Sequence, residues 1–327
     1  MARFALAAAT LATIGLTLLQ APAASADDYD GEADSWDSVF GDSEPPFYIR
    51  GYAGLSYYDT DFNEGALLNS RVNLGWRPER EPGRIALGFG LGIDAVADED
   101  DSYTAFYPAL KIGTDFGRFQ LGIPRSVVDQ GYLPRSNFAY SDFLDVQLRE
   151  LTGSYMSNFY LFGDETPAGV RYDNRVGNFK FGASWHRTDA GGVDLDSTSA
   201  ALGYRLPASG GGPALKFAAA VEHLSDDISD ATIWRLGGQA RWEDFKLGGK
   251  YTDFDGNQSL TELYLDYDFT DRFSVNLSGL SLDSFGTQQL YGLGLKYRVI
   301  ENFSLHGSYI RDDNGDDLVE VGTRVRF

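Results

Sequence analysis

Basic side chains recur along this chain at positions that alternate with apolar ones: Arg50, Arg71, Lys111, Arg118, Arg171, Lys180, Arg324 and Arg326. Near the middle of the sequence three carboxylates, Asp142, Asp145 and Glu150, stand close together. Facing banks of cations and carboxylates do not make or break covalent bonds by themselves. Across a narrow gap with low-dielectric walls, however, they create a transverse field that acts on any charged solute between them. Covalent chemistry lacks its parts here. His186, His223 and His306 lie on three separate segments, and no serine or carboxylate has a spacing that marks it as an activated nucleophile or its base. No catalytic residue, metal cluster or cofactor motif stands out. The glycines follow strand alternation and do not form a phosphate-cradling loop.

The elements that would hold such banks of charge are strands. From residue 47 to the end, period-2 segments follow one another almost without a break. In 84–96, Ile85, Leu87, Phe89, Leu91, Ile93 and Ala95 fall on one face, opposite Ala86, Gly88, Gly90, Gly92 and Asp94. In 179–186, Phe179, Phe181, Ala183 and Trp185 oppose Lys180, Gly182, Ser184 and His186; in the last segment Val319, Val321, Val325 and Phe327 oppose Glu320, Arg324 and Arg326. By parity His186 and His306 share the polar face, and His223 lies on the apolar one. The segments run 47–58, 65–77, 84–96, 102–114, 118–125, 168–174, 178–188, 196–206, 213–224, 231–242, 245–253, 259–269, 272–283, 288–299, 302–312 and 318–327, a count of sixteen, with an error of about two. An even count suits an antiparallel sheet closed into a barrel, and sixteen strands leave an aqueous lumen. The fold class expected is therefore all-β, a transmembrane antiparallel barrel with apolar residues toward lipid and the basic residues toward the lumen.

Composition agrees with export to a membrane. Residues 1–26 have the form of a signal peptide: Arg3, an apolar run from Phe4 to Leu19, and Ala24-Ser25-Ala26 before Asp27. Residues 27–46 are acidic and of disordered composition, and residues 47–327 form the barrel. Beyond the leader no apolar run approaches the roughly 18 residues of a spanning helix. Mean hydropathy is −0.27, as expected when lipid-facing and lumen-facing residues alternate. With no cysteine, stability must come from the continuous strand ladder. A net charge of −21 argues against nucleic acid as a partner, because phosphates would be repelled. A soluble β-sandwich is the competing architecture, but it does not explain why Trp76, Tyr204, Trp242, Phe245, Tyr267, Phe269, Phe273, Tyr297, Phe303 and Phe327 gather at one set of strand ends. That is the pattern of an interfacial aromatic girdle.

The connections imply an orientation. Tight turns at 115–117, 243–244, 270–271 and 300–301 alternate with acidic connections at 59–64, 98–101, 189–196, 225–230, 253–258 and 312–317. Short turns face the periplasm and longer loops the outside, where carboxylates would meet divalent cations held by lipopolysaccharide. One connection, 126–167, is long enough to imply function. Inside it, residues 142–151 have helical spacing, with Phe143, Leu144, Leu148 and Leu151 on one side and Asp142, Asp145, Arg149 and Glu150 more exposed. This helix is expected on the inner wall; a loop lying over the outer surface is the other reading.

Three runs carry a resemblance: Val321-Gly322-Thr323-Arg324-Val325-Arg326-Phe327 at the C-terminus, Val170-Arg171-Tyr172-Asp173, and Asp115-Phe116-Gly117-Arg118-Phe119-Gln120-Leu121-Gly122 leading into the long loop. With them the chain resembles the general porins of Gram-negative bacteria, particularly the sixteen-stranded porins of photosynthetic alphaproteobacteria, over most of the region after residue 47. The resemblance implies an outer-membrane homotrimer and Phe327 as a signal for the barrel-assembly machinery. It also implies that the third loop, 126–167, narrows the lumen. Small hydrophilic solutes would pass between Asp142, Asp145 and Glu150 on the loop and Arg50, Arg71, Lys111, Arg118, Arg171 and Arg324 on the wall. The acidic rim and total charge imply a weak cation preference. The chain departs from the family at the acidic 27–46 segment and in lacking the Pro-Glu-Phe-Gly-Gly loop signature of enterobacterial porins. A substrate-specific channel and an outer-membrane barrel enzyme are the alternatives; a plugged active transporter would need a plug domain that about twenty residues cannot form.

Overall fold

The computed structural model describes residues 47–76, 83–134, 138–163, 165–190, 193–226, 230–256, 258–284 and 286–327. The expected signal peptide and the acidic 27–46 segment lie outside the described residues. Sixteen antiparallel strands close into one barrel, each pairing with its sequence neighbours and β1 with β16. They are β1 Phe47–Thr60, β2 Glu64–Trp76, β3 Ala86–Ala97, β4 Ser102–Thr114, β5 Gly117–Gly122, β6 Ala168–Val176, β7 Phe179–Ala190 and β8 Val193–Leu206, followed by β9 Ala214–Ser225, β10 Asp230–Arg241, β11 Phe245–Phe254, β12 Gln258–Thr270, β13 Phe273–Asp283, β14 Thr287–Ile300, β15 Phe303–Asp312 and β16 Asp317–Arg326.

Successive side chains of a pleated strand point to opposite faces, and the barrel converts that alternation into two environments. Along β3 the residues at Leu87 and Phe89 are exposed on the outside, whereas Ala86, Gly88 and Gly90 face inward and are buried. Closure leaves no unpaired edge in lipid. It runs from Tyr52↔Arg326 to Thr60↔Leu318, and beyond the Tyr52↔Arg326 pair Gly51 and Phe327 exchange backbone hydrogen bonds of 2.7 and 3.1 Å. Among the described residues no helix is long and apolar enough to cross a membrane.

The acidic connections differ from expectation in length. The ladder continues into them, pairing Asp59 with Glu64 and Asp189 with Asp194, so that only three residues separate β1 from β2 and two separate β7 from β8. Backbone pairing needs only extended chain, and projecting carboxylates do not prevent it. Among the described residues the one long excursion at that end is the segment between β5 and β6. At the other end outward-facing aromatics touch one another, Phe179 with Tyr204, Trp242 with Phe245, and Phe269 with both Tyr267 and Phe273, which is the expected girdle.

Candidate functional site

The segment after β5 turns into the barrel and is held by side chains that point into the lumen. Ser126 caps a short 3-10 turn, Val127–Asp129, and its hydroxyl meets those of Ser184 and Ser199 at 3.4 and 3.3 Å. Lys180 donates to the Gln130 carbonyl at 2.9 Å and Lys216 to that of Gly131 at 3.1 Å. On the opposite wall a second 3-10 turn, Phe138–Tyr140, is pinned through Ala139: its N–H donates to Asn276 Oδ1 (2.9 Å) and its carbonyl accepts from Ser308 (2.7 Å). Glycine makes the approach possible, since a Cβ on Gly294 would overlap the Ala139 carbonyl and one on Gly237 would lie 2.5 Å from Pro134. Ala139 and Tyr140 both take left-handed backbone conformations, φ 49° and 58°, which this packing holds in place.

Two helices complete the crossing, α1 Asp142–Thr152 and α2 Tyr155–Phe162. A glutamate from the wall meets the N-terminus of each. Glu320 of β16 accepts from the backbone N–H groups of Asp142 (3.0 Å) and Phe143 (3.3 Å) and from the Ser141 hydroxyl. Glu222 of β9 accepts from the Ser154 hydroxyl (2.7 Å) and the N–H of Tyr155 (3.0 Å). Both carboxylates are fully buried. Each satisfies orphan donors at the positive end of a helix dipole. Arg235 lies 3.3 Å from Glu222 and also donates to the Gly153 carbonyl at 2.6 Å, tying the junction of the two helices to β10.

This anchoring overturns the expected outward side of α1. Asp142 has no exposed surface and pairs with Arg324, and Arg149 is buried with its guanidinium 2.9 Å from Asn69 Oδ1 and 3.6 Å from Asp145. A helix inside a polar lumen finds wall partners for its charged side, so that side need not face water. Burial alone would push the Asp142 carboxyl up; the Arg324 guanidinium, aided by His306, outweighs it and holds the carboxyl well below its usual range. The expected eyelet pair Asp142 and Arg324 thus belongs to an anchor and not to the rim. Glu150 lies on α1, and its side chain is outside the described residues.

The other expected residues do come together. Arg50, Arg71, Lys111, Arg118 and Arg171 line one cavity of about 290 Å³, and Asp145 reaches the same cavity from α1. Arg71 and Arg125 share Asp94 at 3.0 and 2.8 Å, Arg171 pairs with Asp173 at 2.7 Å, and Lys111 bonds the Tyr48 hydroxyl. Arg125, Arg149, Lys216 and Lys250 add to the cationic lining, against Asp129, Asp145 and Glu262. Parity signals Lys250 and Glu262, whose strands alternate clearly. Arg149 had no such signal, because its direction depends on how the loop docks; Arg125 fell by parity on the outward face of the expected segment 118–125, but β5 ends at Gly122 and the chain has left the wall before it.

The sequence from residue 5 to 325 matches the family model for Gram-negative porins. The chain belongs to the Gram-negative porin family. A search of curated protein sequences gave no match. Among solved structures, two doubly substituted variants of the Rhodopseudomonas blastica porin align over 86% of this chain and 100% of theirs, with TM-score 0.62 and identities of 17% and 16%. A structure titled for asymmetric conductivity of engineered proteins aligns over the same shares at TM-score 0.59 and 17% identity. These likenesses are of fold. The porin is an outer-membrane channel, and the family and fold indicate a channel rather than an enzyme. In this porin His186 accordingly has a structural setting: it is buried, and its Nε2 lies 2.7 Å from the Pro124 carbonyl at the entry to the inner loop.

Proposed function

We propose that this porin carries small hydrophilic solutes and ions by passive diffusion through an eyelet between α1 and the basic arc of the wall. The observation that supports this most directly is the cavity in which Asp145 of the loop faces Arg50, Arg71, Lys111, Arg118 and Arg171 of the strands. Two opposed fields act on a permeating ion. At one end of the barrel Asp59, Asp61, Glu64, Asp98, Asp100, Asp101, Asp312, Asp316 and Asp317 form an acidic rim, which gathers cations over a Debye length of about 30 Å at 0.01 M but about 3 Å at 1 M. Deeper in, the lining carries nine basic residues against three acidic ones, and partly buried charges are screened less. The expected weak cation preference therefore belongs to low salt, and it gives way to a slight anion preference as salt rises. The acidic rim is read as the outer mouth, in contact with lipopolysaccharide. Assembly as a homotrimer, through recognition of Phe327 by the barrel-assembly machinery and after cleavage of residues 1–26, is part of the same reading.

Reversal potentials across planar bilayers, measured in salt gradients from about 0.01 to 1 M, test this. The permeability ratio should drift from cation toward anion. The triple substitution Arg50→Ala, Arg71→Ala, Arg118→Ala should raise conductance and move the ratio back toward cations at every salt concentration. Strong anion selectivity at low salt, or a triple variant that conducts like the parent, would refute the assignment of the eyelet.

A further inference from the structure

Where α1 meets the wall, three residues far apart in sequence bring their donor atoms to one point. Asp142 opens α1, His306 is on β15 and Glu320 is on β16; one ligand atom from each lies within 4.8 Å of the others. His306 Nε2 is 3.3 Å from Asp142 Oδ2 and 3.9 Å from Glu320 Oε1. All three side chains are buried, with Asp142 and Glu320 having no exposed surface. Asp142 Oδ2 and His306 Nε2 face each other at ion-pair distance, but neither is aligned in a well-formed hydrogen bond. Two buried polar atoms directed at the same space and left unsatisfied are costly. Their arrangement is that of ligands around a third body.

We propose that Asp142, His306 and Glu320 bind a divalent first-row transition ion, of which Zn²⁺ is the natural candidate. One imidazole and two carboxylates form a donor set that suits it. Bonds of about 2.0 to 2.2 Å span donors up to about 4.4 Å apart, and the 3.3 and 3.9 Å separations fall inside that range. Each carboxylate retains a way to contribute. Asp142 uses Oδ1 for Arg324 and turns Oδ2 toward His306. On Glu320, Oε2 takes the Ser141 hydroxyl and Oε1 takes the Asp142 N–H at 3.0 Å, while the Phe143 N–H is shared between the two oxygens at 3.3 and 3.4 Å; an ion would compete only with that weaker, divided bond.

Charge and space favour the same occupant. With neutral His306, the two carboxylates and Arg324 sum to one negative charge, so the pocket attracts a cation. Gly54 and Gly322 border it, and a Cβ on Gly54 would stand 2.6 Å from Asp142 Oδ2, while one on Gly322 would overlap His306 Nε2. The ion would join the first turn of α1 to two wall strands. That gives the inner loop a fastening that depends on metal.

Binding of Co²⁺ and of Zn²⁺ to the full chain tests the proposal. The protein is refolded in detergent without a histidine tag and freed of metal by chelation. One Co²⁺ per chain should bind and give visible d–d absorption, and Zn²⁺ should displace it. His306→Gln, which keeps size and polarity, should weaken binding by about 100-fold or more, a loss at least as large as that from removing an outer-shell partner. His223→Ala, a substitution on the outer surface, should bind like the parent. No stoichiometric Co²⁺ or Zn²⁺ in the parent overturns the proposal, with a protonated His306 then the occupant of the gap. So does equal binding by parent and His306→Gln. Because the parent measurement stands by itself, poor folding of the variant would not rescue a negative result.

Discussion

Replacing Glu222 by Ala strips the N-terminus of α2 of its acceptor and leaves Arg235 alone in the wall. In the native arrangement Glu222 accepts from the Ser154 hydroxyl and the Tyr155 N–H, is joined by the Ser197 hydroxyl at 3.1 Å, and faces Arg235 at 3.3 Å, with both charged side chains completely buried. Removing one partner of a buried ion pair costs about 3 to 5 kcal/mol. Losing a helix cap adds about 1 kcal/mol. The strand ladder does not pass through these contacts, so the whole penalty, about 4 to 6 kcal/mol, should fall on docking of the inner loop and not on the barrel. At 1.4 kcal/mol per tenfold, even the lower figure shifts the docked-to-undocked equilibrium by about three orders of magnitude. Limited proteolysis in detergent should cut Glu222→Ala between residues 140 and 163 well before the parent, and its single-channel current should be noisier and larger. The temperature at which the folded band is lost from unheated gels should stay near that of the parent. Glu222→Gln, which keeps an acceptor, should be intermediate, and adding Arg235→Met to Glu222→Ala should recover part of the loss. Parent-like protease resistance and conductance in Glu222→Ala would refute the view that this carboxylate holds the loop.

Gly294→Ala should push Ala139 off β14 and change conductance, whereas Gly279→Ala, where no atom lies within 4 Å of the added methyl, should conduct like the parent; equal traces would mean that the loop does not rest on β14. Deleting Phe327, whose backbone exchanges two hydrogen bonds with Gly51, should lower the amount of assembled protein in the outer membrane several-fold. The full chain should run as a heat-modifiable oligomer in unheated gels, and a monomer band indifferent to heating would contradict the proposed trimer.

The wall was legible because the pleat has a period of two residues. Lys180 between Phe179 and Phe181, and Arg171 between Val170 and Tyr172, point inward for a reason contained in their immediate neighbours. That signal yields the strand count and most of the cationic arc. The loop obeys different rules. Its helix was visible from apolar spacing, but the direction of Asp142 and Arg149 was not, because their partners Arg324 and Asn69 sit on distant strands. The same distance conceals the convergence of Asp142, His306 and Glu320. The acidic connections misled for another reason: Asp-rich composition signals loops in open solvent, but a strand already paired along its length extends through such residues.

The docking contacts also set an order of events. Ser141 and Asp142 wait for Glu320, which lies 178 residues later in the chain than Asp142, and Ala139 waits for Asn276 and Ser308. Contacts of such sequence separation form late, after the entropy of closing the intervening chain has been met. Until β16 joins β1, the helix that will narrow the passage has nowhere to seat its first turn. A barrel still being built is therefore the widest one, and the passage acquires its final bore only when the last strand arrives.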